Sequence, residues 1–445
     1  MGQDAVLVRA IQEVLGDVID QLADEHGLNR RAGKLSGGAF ARTLILTALR
    51  KPDATLDEMA QTAALVAEPV SPQALHQRFT PHATDHLKAC LEAAVGKVVQ
   101  ADRAVAVALL DRFTEVDVQD STTIRLPDLF RTQYRGCGGT APTVAASALK
   151  FQVRFDLKRG GLQGFRIEQG TDADVATPLQ TQDILAGSLH LRDLGYFDLN
   201  VLRTIAAQNA YYLSRLRQPI GVFDGAGQRV SLSRWLNGTG TAVVDASVTV
   251  GVVERLACRL IAVRVPPNQR AKRLQALRKQ GQKKGYTPSP ERVALCAWDV
   301  SITNLPRALL SVAEAVALRR LRWQVELMFK QWKSVGLLDE SRSRRPDRVL
   351  CEVFAKMVAL VIQHAILVRS CWRYANRSLM RATQAVRCLA GALAVAWRDR
   401  EKLGGILSQI ARQLEKTGRI ERRRKRPSAF QIIDNPNDFG YKGNG

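Results

Sequence analysis

Glu115-Val116-Asp117-Val118-Gln119-Asp120 alternates polar and apolar residues and ends on an acid, the period of a strand with one buried face. Two further runs repeat that texture. Leu149-Lys150-Phe151-Gln152-Val153-Arg154-Phe155-Asp156-Leu157 alternates, Lys158-Arg159-Gly160-Gly161 supplies a turn, and Leu162 to Glu168 returns, which predicts a hairpin beside the first strand. A helix is expected at about 173–187, then a short strand, His190-Leu191-Arg192-Asp193, closing on a second acid. A helix at about 200–208 and a strand at Tyr211–Leu216 complete a β-β-β-α-β-α-β run. The fold class this implies is α/β, a mixed sheet with crossing helices.

Outward from that core, the first hundred residues read as helical. Val6, Ile11, Val14, Leu15, Val18 and Leu22 recur at helical spacing. Thr55-Leu56-Asp57-Glu58 has the form of a capping box, and Ser71-Pro72 places an N-cap and a first-turn proline before the next helix. That pair of short helices reads equally as a helix-turn-helix presenting Gln73, His76, Gln77 and Arg78, or as part of an ordinary helical bundle. On the other side, 218–305 holds several β-like runs (220–223, 241–252, 259–265, 292–298) and a basic helix around Arg270–Lys284. A long proline-free helix is expected from about Pro306 to Val335, with helices beyond it and a basic run, Arg422-Arg423-Arg424-Lys425-Arg426, before a Pro/Asn/Gly-rich tail. The organisation expected is a helical N-terminal domain (1–105), the first part of a core (106–217), a β-rich insertion (218–305), the rest of the core (306–370) and a basic helical C-terminal region (371–445).

The 445 residues carry a formal charge of +23. Such a surplus repels itself unless a polyanion neutralises it, and nucleic acid is the common partner. The balance is −2 over 1–105, +11 over 106–340 and +14 over 341–445, so bulk attraction to phosphate belongs to the middle and the C-terminal part. Seven scattered cysteines, with no C-x-x-C pair, oppose a disulfide framework or a structural zinc site and suit a reducing cytosol. The N-terminus has acids within its apolar pattern, unlike a signal peptide, and Met357–Val368 is short for a bilayer. A soluble, cytoplasmic, nucleoid-associated chain with no membrane partner is expected.

Three acids carry the chemistry. Asp120 and Asp193 end strands, and Glu326 lies on the long helix with Arg322, Lys330 and Lys333, spaced four, four and three residues apart along one face. Leu321, Val325, Phe329 and Trp332 form a neighbouring stripe suited to docking on a sheet. Taken alone, the helix is the usual dressing of a solvated surface, and an acid at a strand end is usually a turn former. Carboxylates that converge are different: their oxygens suit Mg²⁺, and a metal pair can clamp the attacking and leaving oxygens of a phosphoryl transfer. Asp117, Asp172 and Asp198 are lesser candidates, and Gly136-Cys137-Gly138-Gly139 lacks the Lys-Ser/Thr of a phosphate-binding loop. No H-E-x-x-H, His-hydrophobe-His or Arg-His-x-x-Arg pattern appears.

The blocks QDSTTIRLP (119–127), LRDLGYFDL (191–199) and LRRLRWQVELMFKQWK (318–333), with ITNLP at 302–306, resemble the acid-bearing blocks of the insertion-sequence-four family of bacterial cut-and-paste transposases. That family writes its third block Y-x2-R-x3-E-x6-K. Arg322, Glu326 and Lys333 fit it, while Arg319 stands where tyrosine is expected. The resemblance spans roughly 110–365. It implies an RNase H-like core, a β insertion before the glutamate, and two-metal chemistry at Asp120, Asp193 and Glu326 with Mg²⁺, Mn²⁺ substituting. It further implies double-stranded DNA as partner (inverted-repeat ends and target), contacts from Arg319, Arg322, Lys330 and Lys333, and a homodimer that pairs two ends. An RNase H-like structure-specific nuclease, or a decayed transposase that only binds DNA, are the rival readings.

Overall fold

A computed structural model describes residues 3–29, 33–98, 104–137 and 146–420, with positions 432, 433 and 436. The Arg422–Arg426 run, the tail, and Gly138 and Gly139 lie outside the described residues. In chain order, helices α1 (Gln3–Glu13), α2 (Ile19–Glu25), α3 (Gly37–Arg50), α4 (Leu56–Val66), α5 (Pro72–Gln77), α6 (Pro81–Val98) and α7 (Ala108–Asp111) come first. Strands β1 (Val116–Leu126), β2 (Ser147–Asp156), β3 (Leu162–Gln169) and β4 (Leu189–Arg192) follow, then α8 (Leu199–Ala207) and β5 (Tyr211–Arg215). Next are β6 (Val222–Phe223), β7 (Arg229–Val230), α9 (Leu232–Gly238), β8 (Val243–Val250), β9 (Leu256–Arg264), α10 (Pro267–Lys284), α11 (Pro290–Leu295) and β10 (Trp298–Thr303). Helices α12 (Val312–Leu321), α13 (Trp323–Ser334), α14 (Pro346–Cys371), α15 (Leu379–Ala396) and α16 (Arg400–Thr417) complete the chain.

The expected helix starts are present. Ser36 and Ser71 accept N–H bonds at the heads of α3 and α5, and Thr55 and Glu58 form the reciprocal capping box of α4. Several elements differ from expectation. Residues 173–187 make only two short 3₁₀ turns, at Asp174–Ala176 and Pro178–Gln180, because Thr177-Pro178 interrupts the helical hydrogen bonding. Positions 292–295 of the expected run 292–298 belong to a helix, Pro290–Leu295, started by Ser289 and Pro290. The long helix begins at Val312, where Ser311 and Glu314 form a second capping box, and breaks at Arg322 into α12 and α13.

The chain forms two compact units. The first contains 1–106, 120–172 and 324–423. Its sheet part is the end of β1 with β2 and β3, in the order β3-β2-β1, and the predicted hairpin is there, with Leu149 opposite Gln169 and Val153 opposite Phe165. Its helical part is built on α14, which packs on α3 and α6 and also on α15 and α16. The N-terminal helices therefore share one core with the C-terminal ones. Helix α14 has the length and composition of a membrane span, and all of its most apolar window is buried among protein helices. Its hydropathy serves that core.

The β2–β3 turn docks on α14. Gly160 has φ +82°, and a Cβ there would meet the Trp372 ring at 2.5 Å, so both the backbone and the close approach require glycine. His364 Nε2 donates to the Gly160 carbonyl at 2.8 Å, and Trp372 Nε1 to the Leu157 carbonyl at 3.3 Å. Burial pushes the His364 pKa down to about 4, against the pull of that carbonyl. The unfolded chain, with a histidine near 6.5, takes its proton first. The resulting stability is therefore complete above that value and is lost as pH falls towards the folded pKa, by about 3 kcal/mol. His364→Gln keeps an N–H donor without titrating, so urea midpoints should fall less for it than for wild type over that interval. Equal falls would contradict the assignment.

The second unit contains 107–119, 173–323 and 424–445. Its strands run in the order β1-β4-β5-β10-β9-β8-β6-β7, with β1–β4 and β4–β5 parallel and β5–β10–β9–β8 antiparallel. The region expected as an insertion thus continues the sheet. Its core, from Leu202 and Ile205 on α8 through Tyr212 to Leu260, Trp298 and Ile302, is continuous with that of β5. The whole is a mixed α/β fold with flanking helices, consistent with an RNase H-like core.

Candidate active site

Asp120 was expected to close its strand. It is instead the fifth residue of an eleven-residue β1, half-buried, and one of its carboxylate oxygens accepts from the Ser121 N–H at 2.9 Å. Asp193 follows β4 directly, at the head of a 3₁₀ turn, as the HLRD reading anticipated. Arg322 Nη2 lies 3.6 Å from its carboxylate. Glu326 is half-buried in the first turn of α13, where the helix dipole favours its charge.

The four basic residues divide. Arg322 sits at the junction of α12 and α13, with helical backbone angles (φ −51°, ψ −31°). Lys330 is exposed on α13. Lys333 Nζ donates to the Thr123 carbonyl of β1 at 2.6 Å, and Arg319 donates to Ser301 Oγ at 2.6 Å and to the Asp299 carboxylate at 2.9 Å. Burial alone would raise the Asp299 pKa; the charges of Arg319, Arg273 and Arg215 outweigh it and hold the carboxyl below its ordinary range. Three of the four side chains assigned to DNA, Arg319, Arg322 and Lys333, are thus engaged within the protein. The arginine in the tyrosine position has a buried acid as its partner.

The first unit ties α13 to the strand that carries Asp120. Besides the Lys333–Thr123 bond, the Arg125 N–H donates to Asp339 at 2.9 Å, so helix and strand advance in the same sense between these two ties. Seven residues separate Glu326 from Lys333, about 10 Å on the same face of a helix, and three separate Asp120 from Thr123, also about 10 Å of strand. In the second unit, β1 and β4 pair with a constant offset: Val116 with Leu189, Asp117 with His190, Val118 with Leu191.

The signal that sequence reading passed over lies at that register. Asp117 and His190 showed no motif spacing and were set aside, yet they are opposite one another and wholly buried. His190 Nδ1 donates to Asp117 at 2.8 Å, Arg192 Nη1 lies 2.9 Å from the same oxygen, and His190 Nε2 bonds Ser188 Oγ at 2.8 Å. Writing VDVQD above LHLRD would have found them, because parallel strands set like positions side by side. Beyond Asp193, a cavity of about 700 Å³ is walled by Leu194 and Gly195 and by Arg215, Arg217, Arg273 and Arg292, a strongly basic recess. Among the described residues, no three His, Cys, Asp or Glu side chains already stand together as a metal cage.

Comparison with known proteins agrees with this chemistry. The family described as the transposase DDE domain matches residues 111–362, more than half of the chain. The transposase for insertion sequence element IS231B of Bacillus thuringiensis subsp. berliner is 25% identical over 441 residues, covering 93% of this chain and 92% of its own length. That for IS231F of Bacillus thuringiensis subsp. israelensis is 24% identical over 442 residues, with 94% and 92% covered. The IS1151 transposase of Clostridium perfringens is 22% identical over 380 residues, with 79% and 78% covered. Membership of such a family implies use of a divalent metal and binding at transposon ends. A chain so matched is a member of the DDE transposase family, enzymes that act on DNA.

Proposed function

We propose that the chain carries out cut-and-paste transposition of its insertion sequence, with Asp120, Asp193 and Glu326 as the metal-holding carboxylates. One observation carries the reading. The β1–β4 pairing has an offset of 73 at each of its three pairs, and 73 also separates Asp120 from Asp193. The second support is the tie of α13 to β1, which brings Glu326 along the helix by the same length that leads from Thr123 back to Asp120.

The donor set consists of carboxylate oxygens, which fit a hard divalent cation such as Mg²⁺, with Mn²⁺ substituting. Bound there, the metal supplies Lewis-acid stabilisation of the attacking and leaving oxygens. The reaction begins with water: its oxygen attacks the phosphorus at a transposon end, the bond to the 3′ oxygen breaks, and a 3′ hydroxyl is released. That hydroxyl then attacks a phosphorus of target DNA, joining the strands and releasing a target 3′ hydroxyl. Arg322, beside Asp193, and Lys330, on the open side of α13, neutralise the phosphates. Arg319 and Lys333 position the chain: the first fixes α12 on β10, the second fixes α13 on β1. A homodimer holds two ends together, in the cytoplasm at the nucleoid.

The test is incubation of DNA bearing the element's inverted repeats with wild-type and Asp193→Asn proteins. Mg²⁺-dependent cleavage by wild type and its loss in the variant are expected. Cleavage retained by Asp193→Asn removes that residue from the metal site, and preference for branched over end-containing DNA favours a structure-specific nuclease.

A further inference from the structure

Helix α10 lends Arg273 to the basic recess, and its outer face takes no part in the site described above. Over its 18 residues it has seven basic side chains and no acid. Its inward side is set by Arg273, which donates to the Trp298 carbonyl at 2.8 Å, with Leu274, Leu277 and the buried Gly281. On the opposite side, Lys272, Lys279 and Lys283 are exposed. At about 100° per residue these three fall within roughly 40° of one another, and they span about 16 Å of helix. None has an acidic partner among the described residues. Arg278 and Lys284 extend the charge on the flanks, also exposed.

A helix face that only needs to be soluble interleaves Glu with Lys, because opposite charges at i,i+4 stabilise it and like charges there oppose it. Here Lys279 and Lys283 are an i,i+4 pair of like charge with Gly281, a poor helix former, between them. The arrangement costs the free helix stability, and a line of phosphates opposite would reverse the sign of that cost. Double-stranded DNA presents one negative charge per about 1.7 Å of axis, so a stripe of this length faces roughly ten. Lysine is a point charge on a flexible stem, suited to phosphate and without the planar fork that reads a guanine edge.

We infer that the Lys272–Lys279–Lys283 stripe of α10 is a sequence-independent docking surface for the phosphate backbone of duplex DNA. The inference rests on the transposase reading for the identity of the polyanion, and it adds a contact surface remote in sequence from the glutamate helix. Because such contacts act by releasing condensed counterions, they carry a defined salt signature.

The experiment measures affinity against salt concentration for full-length protein on two duplexes, one with the element's end sequence and one scrambled. The proteins are wild type, the triple variant Lys272→Gln/Lys279→Gln/Lys283→Gln, the corresponding triple Lys→Arg variant, and Glu326→Gln. The triple Gln variant should make the negative slope of log affinity against log salt shallower by about 2.7, equally on both duplexes. Triple Arg should keep the wild-type slope, and so should Glu326→Gln. An unchanged slope in a triple Gln variant with wild-type circular dichroism overturns the inference, and so does a loss confined to end-sequence DNA. Failure of the transposase reading looks different: wild type would not cleave at any salt, whatever the slopes.

Discussion

Glu326→Gln should bind end-containing DNA as wild type does and cleave it on the order of 10³-fold more slowly. The substitution keeps the size and hydrogen-bonding reach of the side chain and removes one negative charge. On the present account that charge completes a divalent metal's shell, and losing several kcal/mol of transition-state charge stabilisation corresponds to three decades or more in rate. Glu326 lies in the first turn of α13, and its helix is anchored further along by Lys333 on Thr123, so the change leaves the docking of the helix intact. Single-turnover cleavage with saturating DNA separates chemistry from binding. A rate within tenfold of wild type would show that the glutamate does not hold metal. Equal losses of binding and rate would show a DNA-contact role instead.

The second large effect belongs to a residue that touches no substrate. Asp117→Ala should destabilise the folded protein by about 3–5 kcal/mol, because it removes an ion-pair partner of the buried Arg192 guanidinium and an acceptor of His190. All three side chains are within the sheet, essentially without exposure. Replacing both charges together, as Asp117→Leu/Arg192→Met, removes the uncompensated charge and should recover most of that stability. Denaturant unfolding measures both. A single variant that loses under 1 kcal/mol would mean that the pair is not desolvated as described. If the recovered double variant still cleaves slowly at saturating DNA, the network also fixes the strand end that bears Asp193, a positioning role that stability alone would not reveal.

Much of this molecule was legible in its sequence, for identifiable reasons. The hairpin from Leu149 to Glu168, the capping box at Thr55 and the N-cap at Ser71 are local codes, written in alternation, turn glycines and hydroxyl caps, and the chain follows them. The three acids stand out in the sequence through the blocks QDSTTIRLP, LRDLGYFDL and LRRLRWQVELMFKQWK that hold them. The rest depends on partners distant in the chain. Pattern alone ended β1 at Asp120, whereas the strand continues to Leu126, with the Arg125 N–H bonded to the Asp339 carboxylate. Arg322, Glu326, Lys330 and Lys333 read as one face of one helix, with Arg319 a turn earlier in the tyrosine position. Partners at Asp299, Asp193 and Thr123 split them into a positioning arginine, a residue at Asp193 and a helix anchored on β1. Only pairing two strands 73 residues apart exposes Asp117 and His190 as neighbours.

The same register leads to the most direct test of the central claim. Crystals of the protein grown with Mn²⁺ and end-containing DNA, measured at the manganese absorption edge, report where the metal sits. The account predicts anomalous peaks bounded by the carboxylates of Asp120 and Asp193, with Glu326 on one of them, and their disappearance in Asp120→Asn/Asp193→Asn crystals. Manganese bound by other acids, or by one of these aspartates without the other, would contradict it.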